Sequence, residues 1–334
     1  MELAFDRREL RFAQPLTAAF GVLHARELVE VTLTGADGIA GHGEAAALEP
    51  YDGVSTERVL RALEAYRAPL AASAAGGTLL DACRARDALP QALAAIDIAL
   101  WDLAGKRAGR PVCDLLSDAP ASAIAVNASV AAPTPQRAAR AAADAVARGY
   151  SCVKLKVGFA DDLARVAAVR EAIGPNVSLR LDANGAWSVA QAERLLSELG
   201  VYGLELVEEP VRGLPQTRKL RARVPVRIAI DETAALPGAL TARVADAVCL
   251  KVSRCGGIGA LLAAATLVRT SGAEVYLAST YDGPRGIAAA LHAAAALAPL
   301  PSCGLATLEL FEQTPLLPVV DGELTVPRGP GLGL

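Results

Sequence analysis

Histidine, paired cysteines and basic runs are scarce in this sequence, and each shortage excludes a class of site. The three histidines, at positions 24, 42 and 292, are not spaced as the ligands of a histidine-rich zinc site would be. The six cysteines are scattered and form no Cys-x-x-Cys pair. In a chain of this size they are typical of reduced, mostly buried thiols, which predicts a cytoplasmic protein.

The charge distribution gives no sign of a nucleic-acid or membrane partner. The net charge is −3, and no run is rich in lysine or arginine. The first ten residues carry charges where a secretion signal needs an apolar run, and the Ala-rich stretch 286–298 is too short to cross a bilayer. At 334 residues and 53% hydrophobic composition, the chain can build a large domain and a smaller one.

The N-terminal third is predicted to combine strands with helices. The first 45 residues alternate in polarity and contain β-branched residues, and Ala36-Asp37-Gly38 supplies a turn between two strands. The segment Ser55–Tyr66 opens like a capped helix. Residues 89–107 place apolar side chains along one helical face before Gly109 and Pro111 end the run.

From about Ala123 the pattern changes to short apolar strands separated by Ala-rich amphipathic helices. Eight strands are predicted, at Ala123–Val130, Cys152–Val157, Val177–Leu181, Leu204–Val207, Arg227–Ile230, Ala247–Leu250, Val275–Leu277 and Leu305–Leu308. Such alternation requires a parallel sheet, and eight units close a TIM-like α/β barrel. The tail after Pro315 is rich in Pro and Gly, and we expect it to run back over the N-terminal region.

Ionisable residues follow five successive predicted strands. The strand ends carry Lys154 and Lys156, then Asp182, Glu208, Asp231 and Lys251. Active sites of such barrels lie at the carboxyl ends of the strands, so these side chains should meet at one rim. Any one of them alone would more often be a helix cap or a surface charge. Ionisable residues at the ends of five successive strands are much harder to explain without a shared function.

The residue types indicate a divalent cation and an acid–base pair. Carboxylates on adjacent strands repel each other when buried, and a cation removes that penalty. Oxygen ligands suit Mg²⁺, with Mn²⁺ as an alternative, whereas zinc prefers His and Cys. A lysine beside a second lysine and a dication is expected to have a lowered pKa, which would make it a base near neutral pH. Glu209 and Glu232 either orient a metal ligand or have only a local structural role.

Seven motifs give the sequence a specific family resemblance. It resembles the enolase superfamily, in its muconate-lactonizing-enzyme subgroup, over nearly the whole chain. The matching stretches are Gly41–Glu44, Ala94–Lys106, Val153–Gly158, Leu181–Trp187, Val207–Pro210, Ile230–Thr233, and Leu250-Lys251 with Gly256–Gly259.

The resemblance implies a fold and a set of roles. The fold would be a (β/α)7β barrel (residues 119–310) with an α+β capping domain (residues 1–118, completed by 311–334). Metal ligands would be Asp182, Glu208 and Asp231, Lys156 the principal acid–base group, and Lys251 the opposing one. A loop near residues 16–27 would close over a small carboxylate substrate. No histidine lies at a barrel strand end, which disfavours the mandelate-racemase branch. The sequence leaves homo-oligomer formation open.

The resemblance leaves the reaction open among enzymes that begin by removing a proton next to a carboxylate. Residues 279–286 and 303–307 resemble o-succinylbenzoate synthases, which dehydrate a succinyl-bearing cyclohexadiene carboxylate in menaquinone synthesis. The alternatives are epimerisation of dipeptides (L-Ala-D/L-Glu type) or N-acylamino acids, and then muconate cycloisomerisation. Dipeptide epimerases usually carry an Asp-x-Asp pair on the eighth strand, where this chain has only Glu309.

Further residues are expected to bind the substrate or orient the ligands. Arg285, at a helix start, is a candidate for the second substrate carboxylate, although a solvated role is the alternative. The remaining candidates are Lys154, Asn184, Glu209, Glu232, Asp282 and Glu309. The sequence departs from a typical synthase at Tyr281, Pro284 and the closing residues 327–333. These departures leave epimerisation as an alternative reaction. A barrel that kept only a binding role would lack a metal-ligand residue or Lys156. The predicted metal ligands and Lys156 are all present.

Overall fold

The computed structural model describes residues 1–18, 21–72 and 76–334. The N-terminal part is an antiparallel sheet packed on helices. Its strands are β1 (Glu2–Ala18), β2 (Gly21–Thr34) and β3 (Ala40–Ala45), in the order β1-β2-β3. Its helices are α1 (Glu49–Asp52), α2 (Thr56–Ala71), α3 (Gly76–Arg86), α4 (Pro90–Ala108) and α5 (Val112–Leu116). The strands, the turn after β2 and the two long helices predicted here are confirmed.

Local sequence explains why these elements start and pack where they do. The Ser55 hydroxyl accepts a hydrogen bond from the Arg58 N–H, which caps α2. Strand β3 lies directly against α4, since a Cβ at Gly43 would come within 2.0 Å of the Ala95 carbonyl oxygen. The glycines of the Gly41–Glu44 motif therefore serve close packing.

The second part is a curved parallel sheet of seven strands. Along the chain these are β5 (Ala128–Val130), β6 (Cys152–Lys156), β7 (Ser178–Asp182), β8 (Leu204–Glu208), β9 (Ile228–Ile230), β10 (Ala247–Leu250) and β11 (Glu274–Leu277). Neighbours in the sheet are neighbours in sequence. The helices between and after them are α6 (Pro135–Ala147), α7 (Asp162–Ile173), α8 (Val189–Leu199), α9 (Leu214–Arg221), α10 (Val252–Cys255), α11 (Ile258–Ser271) and α12 (Pro284–Leu297). The predicted TIM-like α/β architecture is confirmed.

The eighth strand predicted at Leu305–Leu308 is wrong. A short 3₁₀ helix occupies Leu308–Leu310, and the barrel closes through single bridges that join Cys303 to Val126 and Gly304 to Ala278. The apolar run 305–308 was misread because buried loop residues and buried strand residues have the same composition. The first predicted strand likewise divides in two, since β4 (Ala123–Ala125) pairs with a different sheet from β5.

The C-terminal tail returns to the N-terminal part, as predicted. Strands β12 (Val319–Val320) and β13 (Glu323–Thr325) form a small antiparallel sheet with β4. Further on, the Leu332 N–H donates to the Asp102 carboxylate on α4, at 2.8 Å. Within the described part of the chain, no helix is long and apolar enough to cross a membrane.

The segment 16–27, predicted as a loop, is largely an extension of the β1–β2 hairpin; residues 19 and 20 lie outside the described part. The prediction of a loop was wrong because the two strands continue to pair through this segment, with side chains alternating between the two faces. The hairpin lies over the carboxyl end of the barrel. Phe12 meets the Tyr281 ring edge-on at 5.8 Å between centroids, and the Arg26 Nε donates to the Thr280 carbonyl at 3.1 Å.

Candidate active site

Strand register brings the predicted ionisable residues to one level. Lys156 is the partner of Asp182 across β6 and β7, and Asp182 is the partner of Glu208 across β7 and β8. Asp231 and Lys251 directly follow β9 and β10. Since parallel strands present their carboxyl ends to the same side, the five side chains form one row at the barrel mouth. The metal ligands and the two lysines proposed from sequence are thus brought together.

On one side of the row, two lysines contact two carboxylates. The Lys156 Nζ donates to Asp182 Oδ2 at 2.6 Å and to Asn184 Oδ1 at 3.0 Å. The Lys154 Nζ lies 3.0 Å from Glu208 Oε1 and 3.1 Å from Asp182 Oδ2. Lys154 and Lys156 are two residues apart on one strand and so point the same way. Lys154 contacts two of the three predicted metal ligands, which suits it to fixing their orientation.

On the other side, Lys251 is held by residues from two parts of the fold. Its Nζ donates to Asp231 Oδ2 and, at 2.6 Å, to the hydroxyl of Tyr51 on α1. The Tyr51 hydroxyl in turn donates to Asp231 Oδ2 at 2.9 Å and accepts from Arg254 Nη1 at 2.9 Å. A residue of the N-terminal part thereby touches both the lysine and the carboxylate of the barrel.

Acting alone, the carboxylates of the row raise the pKa of both site lysines. Burial is the largest single effect on Lys156 and lowers its pKa, but Asp182 and other neighbours, among them Glu208, together raise the pKa above the usual value. For Lys251, burial is likewise the largest single effect, but Asp231 and other neighbours together raise the pKa well above normal. The carboxylates thus stabilise both ammonium groups, and the lowering expected from the sequence concerns a lysine with a dication bound beside it.

The carboxylates have the chemistry of a site for a hard divalent cation. Asp182, Glu208 and Asp231 are all almost fully buried on adjacent strands. Burial, together with the neighbouring Asp182 and Asp231 carboxylates, raises the pKa of Glu208 despite the opposing effect of Lys154. Glu232 Oε2 is also buried and has no hydrogen-bond partner among the described residues. Ligand oxygens of Glu208 and Asp231 approach one another within 4.8 Å, together with the Cys249 thiol. Three carboxylates and a spare buried oxygen fit Mg²⁺ better than a site dominated by sulfur.

Glu209 and Asn184 contact the residues that flank the row. Glu209 Oε2 accepts from the Asp231 N–H at 2.8 Å, and Glu209 also binds Thr233. Burial raises the pKa of Glu209 to about 8. Asn184 bridges Lys156 and Glu232, since its Nδ2 donates to Glu232 Oε1 at 3.1 Å. These contacts suit the orienting roles expected for Asn184, Glu209 and Glu232.

The row faces a small cavity of about 60 Å³ that is roofed by the N-terminal part. Leu48 and Tyr51 line it from above, and Ser279 and Tyr281 from the β11 side. A second cavity of about 340 Å³ shares Ser129, Lys156, Tyr281, Gly304 and Thr307 with the first. The two together offer space for a substrate with its carboxylate at the row, its α-carbon near Lys156 and a larger remainder beyond Thr307.

Two other predicted substrate-binding residues, Arg285 and Asp282, lie outside these two cavities, and Glu309 is already bound by neighbouring side chains. Arg285 lines a separate cavity and pairs with Glu30 at 2.5 Å, so the structure does not support its predicted contact with a substrate carboxylate. It follows Pro284 at the start of α12, and its side chain points away from the barrel mouth toward β2. Asp282 is buried and accepts from the Thr280 N–H at 3.0 Å, which makes it a turn residue. Glu309 lines the second cavity but binds Arg148 at 2.5 Å and Tyr150 at 3.0 Å.

Sequence reasoning missed Tyr51, Arg254 and Tyr276. Arg254 follows Lys251 by one helical turn, a spacing that could have indicated it. Tyr276 is on β11, where strand alternation turns its hydroxyl inward to donate to Glu208 Oε2 at 2.6 Å. Tyr51 comes from a helix distant in sequence, and no local pattern could have placed it at Lys251.

Two family models match the chain. Residues 137–334 match the enolase C-terminal domain-like family, and residues 3–117 match the N-terminal domain of mandelate racemase/muconate lactonizing enzyme. The o-succinylbenzoate synthase of Thermobifida fusca is 41% identical over 219 residues, which are 61% of this chain and 67% of that protein. Muconate cycloisomerase 1 of Rhodococcus opacus is 30% identical over 98% of this chain and 93% of its own length.

A solved structure shares the whole fold. The dipeptide epimerase of Enterococcus faecalis, determined with Mg and the dipeptide L-Leu-L-Tyr, superimposes with a TM-score of 0.90. It is 26% identical, and the match covers 99% of this chain and 98% of the epimerase. The family models, the similar proteins and the shared fold all indicate the same superfamily. The chain is therefore an enzyme of the enolase superfamily, in its muconate-lactonizing-enzyme subgroup.

Proposed function

We propose that this enzyme removes the proton next to a substrate carboxylate and then expels a hydroxyl group, as an o-succinylbenzoate synthase does. The row of Lys156, Asp182, Glu208, Asp231 and Lys251 carries the first half of this proposal. It places two ammonium groups on opposite sides of three carboxylates that are suited to one cation. That arrangement matches the needs of a carbon acid next to a carboxylate, whose ionisation builds up negative charge.

Mg²⁺ held by Asp182, Glu208 and Asp231 would neutralise the charge that develops on the substrate carboxylate. With their charge shared in this way, the carboxylates would stabilise the ammonium form of Lys156 less. The pKa of Lys156 would then fall from its raised value. Lys156 would accept the α-proton at Nζ, with Asn184 Oδ1 fixing the direction of the amine. The same group, once protonated, would give its proton to the departing hydroxyl.

The dehydration is favoured over epimerisation by the surroundings of Glu309. An epimerase of dipeptides needs carboxylates that are free to bind the ammonium group of the substrate. Asp144 and Glu309 are the acidic side chains that line the second cavity, and Glu309 is already bound to Arg148 and Tyr150. The 41% identity to the Thermobifida fusca synthase supports the same choice, although that match covers 61% of the chain.

A dipeptide or N-acylamino acid epimerase is the second candidate, and one observation favours it. Lys251 is more deeply buried than Lys156, with 6% of its side chain exposed against 19%, and it directly contacts a predicted metal ligand, as a second acid–base group should. An epimerase needs both lysines in alternation, one to remove the proton and one to return it. The fold shared with the Enterococcus faecalis epimerase supports this candidate.

A side-by-side assay separates the two. Purified enzyme with Mg²⁺ would be given the cyclohexadiene substrate of the synthase and, separately, a small library of dipeptides and N-acylamino acids. We expect aromatic product to form from the first substrate. Turnover of dipeptides alone would overturn the dehydration and leave the epimerase. Omission of Mg²⁺, with restoration by Mn²⁺, tests the cation in the same assay.

A further inference from the structure

No α-helix of the described chain covers the outer face of the barrel in the crossover between β9 and β10. In a parallel barrel, each crossover normally lays a helix over the outer face of the strands it connects. The described chain between Ile230 and Ala247 contains no α-helix, only two short 3₁₀ helices at Glu232–Ala235 and Ala239–Thr241. The sequence already shows the shortening, because Asp231 and Lys251 are 20 residues apart, whereas Lys156, Asp182 and Glu208 follow one another at intervals of 26.

A cavity of about 490 Å³ lies at this place. One wall is a single face of α11, formed by Ala260, Ala263, Ala264 and Leu267, which recur at helical spacing. The opposite wall comes from the 3₁₀ segments, with Leu236 and Leu240. The volume lies within the range of small-molecule pockets, and the walls are mainly aliphatic. At the mouth, Leu236 and Leu267 are about half exposed.

The inner end of the cavity is cationic. Arg254 lines it, donates from Nη1 to the Tyr51 hydroxyl, and lies 3.9 Å from Asp231 Oδ1. A guanidinium has five N–H donors, and the described structure assigns Arg254 one hydrogen bond, which leaves donors for a ligand. Its side chain is 17% exposed, which makes a hydrogen bond to an incoming anion stronger than at the surface.

The cavity also adjoins the active site without being part of it. Asp231 and Lys251 line both this cavity and the small one above the row, and Arg254 lines this cavity while it donates to Tyr51, which lines the small one. A group that binds the remaining donors of Arg254 from this cavity would share the guanidinium with Tyr51. Because Tyr51 also binds Lys251, a ligand in this cavity would change the surroundings of one of the two site lysines.

We propose that this cavity is a second ligand site, which binds an apolar monocarboxylate with its tail between α11 and the 3₁₀ segments and its carboxylate on Arg254. The aliphatic walls select the tail, and the guanidinium selects an anion over a neutral or cationic head group. The site is independent of which reaction the enzyme catalyses. A helix from a second copy of the chain is the competing occupant, but two cations, Arg254 and Lys251, against one carboxylate, Asp231, in a mainly aliphatic cavity favour a small acid.

Calorimetric titration of the Mg²⁺-loaded enzyme tests the site, with octanoate as the probe and octanol and octylammonium as controls. We expect octanoate to bind about tenfold more tightly than either control. Ala263→Trp fills the cavity from the exposed side of α11 and should weaken octanoate binding about tenfold or more. Thr266→Trp, on an exposed part of the same helix outside the cavity, should leave binding within about twofold.

Two further variants test whether Arg254 binds the carboxylate and whether octanoate binds outside the active site. Arg254→Met should remove the preference for octanoate over octanol while leaving octanol binding unchanged. Lys156→Ala should leave octanoate binding unchanged, because Lys156 does not line this cavity. Three results would overturn the proposal: no binding of octanoate, binding that Ala263→Trp leaves intact, or binding lost with Lys156→Ala, which would place the acid in the active site. Dissociation of a dimer by Ala263→Trp, seen by light scattering, would instead assign the cavity to a second copy.

Discussion

The two lysines of the site differ in what holds them. Lys156 contacts Asp182 and Asn184, both from the adjacent strand and the turn after it. Lys251 contacts Asp231 and also Tyr51, which belongs to the N-terminal part and is shared with Arg254. One lysine is therefore fixed by the barrel alone. The environment of the other depends on how the N-terminal part and the β9–β10 crossover lie against the barrel.

The largest expected effect separates these two lysines. Lys156→Ala removes the proposed base and should reduce kcat by about 10³-fold, within the usual range for a lost general base. In the dehydration Lys251 acts only through its charge, so Lys251→Ala should cost less, about tenfold to 100-fold. Lys219→Ala, at an exposed position on α9, is the matched control. Equal losses for Lys156→Ala and Lys251→Ala would favour the epimerase.

The metal site provides the next effect, at the carboxylates that lie between the lysines. Glu208→Gln removes a charged ligand and should weaken Mg²⁺ binding by about 100-fold or more, measured by calorimetry. Glu205→Gln, on the same strand but paired with Arg180, is the control and should leave Mg²⁺ binding unchanged. Unchanged affinity in Glu208→Gln would remove Glu208 from the ligand set.

Stability should depend on pH through Glu44, which joins β3 to the loop after β11 by accepting from the Gly283 N–H at 2.7 Å. Burial, with the nearby Asp282, raises the pKa of Glu44 from 4.5 to about 8. The folded enzyme thus keeps a proton that the unfolded chain releases near pH 4.5. Stability should fall by about 2 to 3 kcal/mol between pH 6 and pH 8.

The variant Glu44→Gln should remove the part of the fall that Glu44 causes, because the amide does not titrate, whereas Glu209, whose pKa is also about 8, keeps its own contribution. Urea denaturation at both pH values measures it, with Glu323→Gln on the exposed face of β13 as control. A fall of the same size in Glu44→Gln would show that another group is responsible.

The smallest expected effect tests the contact that distinguishes Lys251. Tyr51→Phe removes one hydroxyl that joins Lys251, Asp231 and Arg254, and should reduce kcat by about tenfold. If Tyr51 positions Lys251, the pH profile of kcat should shift as well, while Tyr202→Phe changes neither. A change in KM alone would mean that Tyr51 only borders the substrate.

The row of ionisable residues was predictable from sequence for a physical reason. Each interval between Lys156, Asp182, Glu208, Asp231 and Lys251 is about one strand–helix unit, and parallel strands end on the same side. The rest depended on long-range packing. Tyr51 reaches the site through the placement of α1, and Arg285 turns toward Glu30 because β2 lies beside α12. The eighth strand was misplaced since burial alone does not distinguish a strand from a loop.

The central claim is that Lys156 removes a proton next to a carboxylate in the presence of Mg²⁺, and isotope exchange tests it most directly. A substrate acid deuterated at its α-carbon would be incubated with enzyme and Mg²⁺ in ordinary water, with loss of the α-deuterium followed by NMR. The account predicts loss that requires Mg²⁺ and that Lys156→Ala abolishes. Retention of the α-deuterium in every acid tried, by an enzyme that binds Mg²⁺, would contradict it and indicate a binding protein.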